Sequence, residues 1–153
     1  MFLDSLTEIN QCQYLELIDV KALSRYSAAV FTFEPYYSKP ESETIQIGST
    51  ALEGTHAIVP VENSALYQLS FFTYAVYSIR PEKFTVWDKS AIAILSGKVS
   101  VLSESKYLNF AKTFISEAIY LGEEPLLHYQ IGCLDHIIDI AAYGYPEFNK
   151  VLP

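Results

Sequence analysis

The 153-residue sequence contains few cysteines, and the two that it has, Cys12 and Cys133, are far apart. Two distant thiols give neither the ligand spacing of a zinc site nor a disulfide framework. We therefore expect both to be free thiols in a reducing cytosol. A glycine-rich phosphate loop is also missing, because Gly48 and Gly54 lack the lysine that such a loop needs.

Basic residues are scarce as well. The chain has 10 lysines and arginines against 18 acidic residues, which gives a formal net charge of −8. Binding to a nucleic-acid backbone needs clustered Lys and Arg, so we predict no nucleic-acid partner. The same charge would repel an anionic membrane surface, and it would speed the encounter with a basic protein.

Long apolar runs are absent. The longest uncharged run, residues 63–79, is interrupted by Ser, Thr and Gln, and it is too short and too polar to span a bilayer. The first four residues show neither the basic nor the apolar region of a signal peptide. The length is typical of one domain, so we predict a single domain over residues 1–153 and a cytoplasmic location.

Half of the residues are hydrophobic, and their order predicts an α+β fold: an antiparallel sheet with a central hairpin and helices packed on one face. Residues 67–79 alternate like an interior strand, residues 80–83 suit a turn, and residues 84–95 return as the second strand. Shorter strands are predicted at 14–18, 28–33, 44–47, 99–102 and 128–131. The two prolines within 34–41 predict a loop there.

Helices are predicted from apolar residues at helical spacing. Residues 103–121 form the longest such segment, with Ser103 as the N-terminal cap and Gly122 as the stop. A second helix is predicted over 134–143, ended by Gly144 and Pro146. A short helix is expected over residues 3–9.

Acidic residues and loop tyrosines are the candidate binding residues, because tyrosine combines a large contact area with a hydrogen-bonding hydroxyl. The first choice lies in the C-terminal part of the chain and comprises Glu123, Glu124, Asp135, Asp139 and Tyr143. The second choice lies in the predicted loop and just beyond it, and comprises Glu34, Tyr36, Tyr37, Glu41 and Glu43.

The sequence offers two possible chemical sites, each with a simpler explanation. Asp135, His136 and Asp139 would lie close together on a helix and could bind a metal with His128 or Cys133 as a further ligand, but the usual two-histidine motif is missing and a solvated helix edge is the simpler explanation. Cys133 with His128 or His136 could pair a thiol with a base, but a packed thiol is the simpler explanation. We predict no catalytic residue, no metal and no cofactor.

The aromatic strand at residues 71–77 (FFTYAVY), the hairpin to 84–87 (FTVW) and the helix-strand-helix tail carry a resemblance across residues 65–143, about half the chain. In layout and composition this part resembles the small immunity proteins of bacterial contact-dependent inhibition and related toxin systems. The resemblance implies a non-catalytic protein that binds a cognate toxin domain, often a basic nuclease, and blocks its active site.

Two alternatives remain open at this stage. The chain could be a structural or adaptor subunit of a larger assembly, or a homodimer, that uses its aromatic sheet face. It could also be a small enzyme or ligand-binding domain with a pocket around Cys133, His128 and His136.

Overall fold

The computed structural model describes residues 2–23 and 28–152, and 54% of the structure is strand. The helices among these residues are α1 (Phe2–Gln11) and α2 (Lys106–Ala111), with 3-10 turns at Glu82–Phe84 and Glu117–Ile119. The strands are β1 (Tyr14–Leu23), β2 (Ala28–Ser38), β3 (Glu43–Ile47), β4 (Thr50–Thr55), β5 (Ile58–Pro60), β6 (Leu66–Phe71), β7 (Tyr74–Pro81), β8 (Ile92–Leu95), β9 (Val99–Glu104), β10 (Leu126–Gly132), β11 (His136–Tyr143) and β12 (Glu147–Val151).

Within the described residues the strands form two five-stranded antiparallel sheets and a separate β3–β4 hairpin. Sheet one has the order β1-β2-β6-β12, with β5 paired to the end of β2. Sheet two has the order β7-β11-β10-β9-β8. The chain passes from sheet one to sheet two at Phe72 and Thr73, between β6 and β7.

The hydrophobic core lies between the two sheets. Rings from opposite sheets are in contact, with centroids 5.0 Å apart for Phe71 and Tyr129 and 5.3 Å apart for Phe31 and Tyr77. Leu6 and Ile9 of α1 are buried in the same cluster. A smaller cluster covers the outer face of sheet two, where α2 packs Leu108 and Ala111 against Leu126 and Ala141.

The predicted α+β class is wrong, because most of the predicted helical structure is absent. Residues 136–143 are strand β11, paired with β7 on one side and β10 on the other. Ile138 and Ile140 face the main core, while Ala141 lies under α2. A strand buried on both faces reads as a continuous apolar run, which periodicity cannot distinguish from a buried helix.

The predicted long helix is wrong in its length and in its cap. Helix α2 covers only Lys106–Ala111, and its cap is Ser105, whose side-chain oxygen accepts the Leu108 N–H at 3.0 Å. The hydroxyl of Thr113 donates to the Phe110 carbonyl at 2.6 Å, as the helix ends. Aromatic and β-branched residues follow in sequence, and their helix propensity is low.

The predicted central hairpin is also wrong. Residues 67–79 are divided between β6 and β7, and β7 pairs with β11 instead of residues 84–95. Only residues 92–95 of that segment form a strand, and they pair with β9. An alternating pattern indicates which side chains face inward, but it does not show that the chain passes from one sheet to another. The length was a warning, because a 13-residue strand would exceed the usual 3–10 residues.

The predicted loop at 34–41 is mostly strand, because β2 continues through Pro35 to Ser38. Pro35 lies where the neighbour of β2 changes from β6 to β5, and its carbonyl accepts the Val61 N–H at 3.0 Å. A proline needs no partner for an N–H, so it is tolerated at such a gap.

The shorter elements are confirmed. Strands or a helix occur where they were predicted, at residues 3–9, 14–18, 28–33, 44–47, 99–102 and 128–131, although most extend further. None of the helices in the described part of the chain has the length and apolar character needed to cross a bilayer.

The position of Ile138 in the core predicts a large effect of its truncation. Ile138→Ala should lower the free energy of unfolding by about 2–5 kcal/mol, because the side chain is fully buried between the sheets. Ile119→Ala is the matched control, since Ile119 is 78% exposed, and it should change stability by less than about 0.5 kcal/mol. Urea denaturation measures both, and equal effects would contradict the placement of β11.

Candidate functional site

The structure divides the first group of candidate residues. Glu123 and Glu124 are exposed just before β10, and Tyr143 is opposite Leu126 at the same end of the β10–β11 pair. Asp135 lies in the turn at the other end. Six residue steps along a strand separate the ends by about 20 Å, so Asp135 does not join the glutamates.

Asp139 is not a surface contact. It lies in β11 with only 1% of its surface exposed, on the face of the strand opposite Ile138 and Ile140. The predicted helix would have placed it on a solvated edge beside Asp135. Because the segment is a strand in the middle of sheet two, the carboxylate is instead enclosed by the protein.

A groove forms where Tyr143, the chain crossing at Phe72 and the segment after α2 meet. It has a volume of about 340 Å³, and we call it the tyrosine groove. It is lined by Phe72, Thr73, Tyr74, Ala75, Ile115, Ser116, Ile119, Tyr120 and Tyr143.

Two stacked tyrosines form one wall of the tyrosine groove. The rings of Tyr120 and Tyr143 lie 3.8 Å apart with an interplanar angle of 13°. The Tyr120 hydroxyl donates to Glu124 Oε2 at 2.5 Å. This hydrogen bond raises the pKa of Tyr120 and lowers the pKa of Glu124, so the carboxylate is held ionised beside the groove.

Tyr143 carries an unsatisfied polar atom. Its hydroxyl is buried and has no hydrogen-bond partner in the described structure. Burial, and then the nearby charge of Glu117, raise the pKa of Tyr143. A buried hydroxyl without a partner is unfavourable, so this atom reduces the stability of the groove wall.

The surroundings of the tyrosine groove are unusually apolar for a surface. Large hydrophobic side chains are exposed on the segment from α2 to β10 and on the sheet crossing; they are Phe72, Phe110, Phe114, Ile119 and Leu121, the last of which is 96% exposed. The rings of Phe110 and Phe114 contact each other at 4.8 Å. Clustered exposed aromatic side chains are typical of protein interaction sites.

The second group of candidate residues is only partly brought together. Glu34 and Tyr36 lie on β2, where Glu34 is directly opposite Glu16 of β1. Partial burial and the charges of Glu34 and Glu16 raise the pKa of Tyr36. Glu16 and Glu34 form a small acidic patch. Like charges directly opposite each other destabilise a sheet, so the stability of the fold does not explain this pair.

The remaining second-group residues lie apart from this patch. Tyr37 pairs with Val59 of β5. Glu43 begins the separate β3–β4 hairpin, and Glu41 is exposed just before it.

A buried polar network occupies the outer face of sheet two. Asp139 Oδ1 accepts from Gln130 at 3.1 Å and lies 2.7 Å from His128 Nε2, while Asp139 Oδ2 accepts from Arg80 Nη1. His128 Nδ1 lies 2.8 Å from Ser105 Oγ. Gln130 is directly opposite Asp139 in the β10–β11 register, which is how the sheet assembles the network.

The hydrogen bonds of the network fix the state of His128. Ser105 Oγ accepts the Leu108 N–H, so its own hydrogen can be donated to His128 Nδ1, and His128 Nε2–H then donates to Asp139. Burial and the charge of Arg80 lower the pKa of His128 from 6.5 to about 4. His128 is therefore neutral at pH 7, because Arg80 already balances Asp139.

Ser105, His128 and Asp139 are linked by hydrogen bonds in the same sequence of residue types as a hydrolase triad. A nucleophile must reach its substrate, however, and Ser105 is only 5% exposed. Its oxygen is also the N-terminal cap of α2. These contacts favour a structural role, in which the network joins α2 to sheet two.

Two pairings that the sequence suggested, Cys133 with His128 and His136 with Asp139, are not assembled. Cys133, just after the end of β10, packs in the core between the sheets, whereas His128 belongs to the network on the outer face of sheet two. Burial raises the pKa of the Cys133 thiol to about 12, which makes it a poor nucleophile. Residues an odd number apart lie on opposite faces of a strand, so His136 and Asp139 of β11 do not share a metal site.

Comparisons with protein-family models, with curated proteins and with solved structures found no match to this chain.

The network predicts a large penalty for neutralising its carboxylate. Asp139→Asn should lower the free energy of unfolding by roughly 2–4 kcal/mol, because it leaves Arg80 and His128 with a weaker partner in a buried site. Asp135→Asn is the control at an exposed position and should cost less than about 0.5 kcal/mol. Denaturant titration at pH 7 compares them, and similar costs would refute the role of Asp139.

The lowered pKa of His128 predicts a pH dependence of stability. Between pH 6.5 and about 4 the unfolded chain binds a proton that the folded protein does not, so stability falls as the pH falls. The loss from this residue should approach about 3 kcal/mol at pH 4. Unfolding measured from pH 7 to 4 should show a smaller slope for His128→Gln than for the unaltered protein, and equal slopes would contradict a depressed pKa.

Proposed function

We propose that this protein is a non-catalytic, cytoplasmic protein of the immunity type, which binds and neutralises a basic toxin domain. The observation that carries the proposal is the tyrosine groove, an aromatic surface with the carboxylates Glu117 and Glu124 beside its walls. The net charge of −8 supports it.

A basic side chain of the partner fits the chemistry of the groove. The flat guanidinium of an arginine, or the stem of a lysine, would lie against the rings of Tyr120 and Tyr143. Its charged head would reach Glu124 or Glu117. The weak pair of Glu117 with Lys112, at 3.7 Å and exposed, is easily exchanged for a partner's cation.

The exposed aromatic side chains around the groove supply the apolar part of the contact. Phe72 lines the groove, and Phe110 and Phe114, on the segment that leads to Ile115, add exposed apolar surface that would lose water on binding. An interface over the partner's basic, phosphate-binding cleft would block that cleft without any reaction. The acidic pair Glu16 and Glu34 adds to the negative field that steers the encounter.

The experiment is a pull-down from the native source at low salt, with the retained proteins identified by mass spectrometry and their affinity then measured by calorimetry. We expect one basic, toxin-like domain that is released by high salt. The double variant Glu117→Lys, Glu124→Lys should weaken its binding by at least about tenfold, because both rim charges become repulsive.

Glu53→Lys is the control, since Glu53 is exposed on β4 of the separate β3–β4 hairpin, which contributes no residue to the groove lining. It should change the affinity much less than either groove substitution. A loss of less than tenfold in the double variant would reject the groove as the binding site. Retention of further copies of this chain, or of a constant set of acidic or neutral subunits, would favour a subunit of an assembly instead.

A further inference from the structure

A second pocket lies on the outer face of sheet two, directly over the buried network. It has a volume of about 370 Å³, and we call it the Trp87 pocket. It is lined by Arg80, Val86, Trp87, Asp88, Lys106, Tyr107, His128, Gln130 and Asp139. The proposed function does not use this pocket, and its residues are absent from the lining of the tyrosine groove.

The acceptor atoms of the pocket are already occupied. Both oxygens of Asp139 accept hydrogen bonds from the network. Asp88 Oδ1 accepts from the backbone and hydroxyl of Ser90, and Asp88 Oδ2 accepts the Lys106 backbone N–H at 2.7 Å. The Lys106 N–H and Ser90 lower the pKa of Asp88, so this carboxylate is ionised and internally satisfied.

The donor groups of the pocket are largely unused. Of the five N–H groups of Arg80, one bonds to Thr85 and one to Asp139, so the rest of the guanidinium is available. Within the described structure Lys106 makes no ion pair, and the indole N–H of Trp87 has no hydrogen-bond acceptor. Tyr107 accepts a bond from Ser78 at 3.2 Å, which leaves its own hydrogen free to be donated.

This imbalance selects the chemistry of a ligand. Arg80 and Lys106 formally balance Asp139 and Asp88, so overall charge does not decide what binds. The hydrogen-bonding groups without partners decide which ligand binds, because these groups are donors, while the acceptors already bond within the protein. A ligand that brings acceptor oxygens would complete the hydrogen bonding, and a carboxylate or phosphate matches an arginine fork best.

We propose that the Trp87 pocket binds the carboxylate or phosphate group of a small molecule, with Arg80 as the main anchor and Lys106 as the second cation. The exposed ring of Trp87 and the partly buried ring of Tyr107 provide apolar contact for the rest of that molecule. His128, neutral and fixed by the network, forms part of the floor without contributing charge.

Trp87 is the only tryptophan in the sequence, so its fluorescence reports on this pocket. The full-length protein is titrated with inorganic phosphate and with benzoate, each against sodium chloride of equal ionic strength. We expect a saturable change with at least one of the two probes and none with chloride. Tighter binding of benzoate would show that the aromatic side chains contribute, and tighter binding of phosphate would show that the cations dominate.

Substitutions separate a specific site from a general salt effect. Lys106→Gln should weaken binding about two- to fivefold, because it removes one partly exposed charge. Arg80→Gln should weaken it by at least about tenfold. Lys21→Gln on β1 of sheet one makes the same change of charge elsewhere and should leave the affinity unchanged.

If Arg80→Gln does not fold, as circular dichroism would show, Lys106→Gln against Lys21→Gln still decides the question. A linear response without saturation for both probes would overturn the proposal. An affinity that is the same in Lys106→Gln and in the unaltered protein would also overturn it.

Discussion

The buried carboxylate of Asp139 is the constraint on which the outer face of sheet two depends. An ionised group with 1% exposure is tolerated only when it is paired and fully hydrogen-bonded. Its partners come from β7 and β10, and Ser105 extends the network to the start of α2. One charge therefore requires three neighbouring strands and one helix to take up their positions together.

Helix α2 connects the two candidate binding surfaces. Its N-terminal cap, Ser105, belongs to the network beneath the Trp87 pocket, and the segment that follows its last turn supplies Ile115 to the tyrosine groove. A helix of six residues is not stable alone, so its place is set by packing on Leu126 and Ala141 and by the cap. Rigid support of this kind allows exposed aromatic side chains to remain in a defined arrangement.

Local signals in the sequence were sufficient for the short elements but not for the fold class. The local pattern identified strands correctly at residues 28–33, where Val30, Phe31 and Phe33 have high strand propensity, and at residues 128–131. It failed for β11, where Ile138 and Ala141 are buried on opposite faces and imitate a helical stripe. The network residues Arg80 and Gln130 were missed, since only pairing between distant strands brings them to Asp139.

The two surfaces differ in which of their charged groups can still bind a ligand: carboxylates at the tyrosine groove and cations at the Trp87 pocket. At the tyrosine groove the exposed carboxylate of Glu124 accepts hydrogen bonds from neutral groups alone, the Tyr120 hydroxyl and backbone N–H groups, so its charge is available to an incoming cation. At the Trp87 pocket the carboxylates are saturated from within and the cations are not. Unused hydrogen-bonding capacity, more than the overall charge of −8, therefore determines which partner each surface can bind.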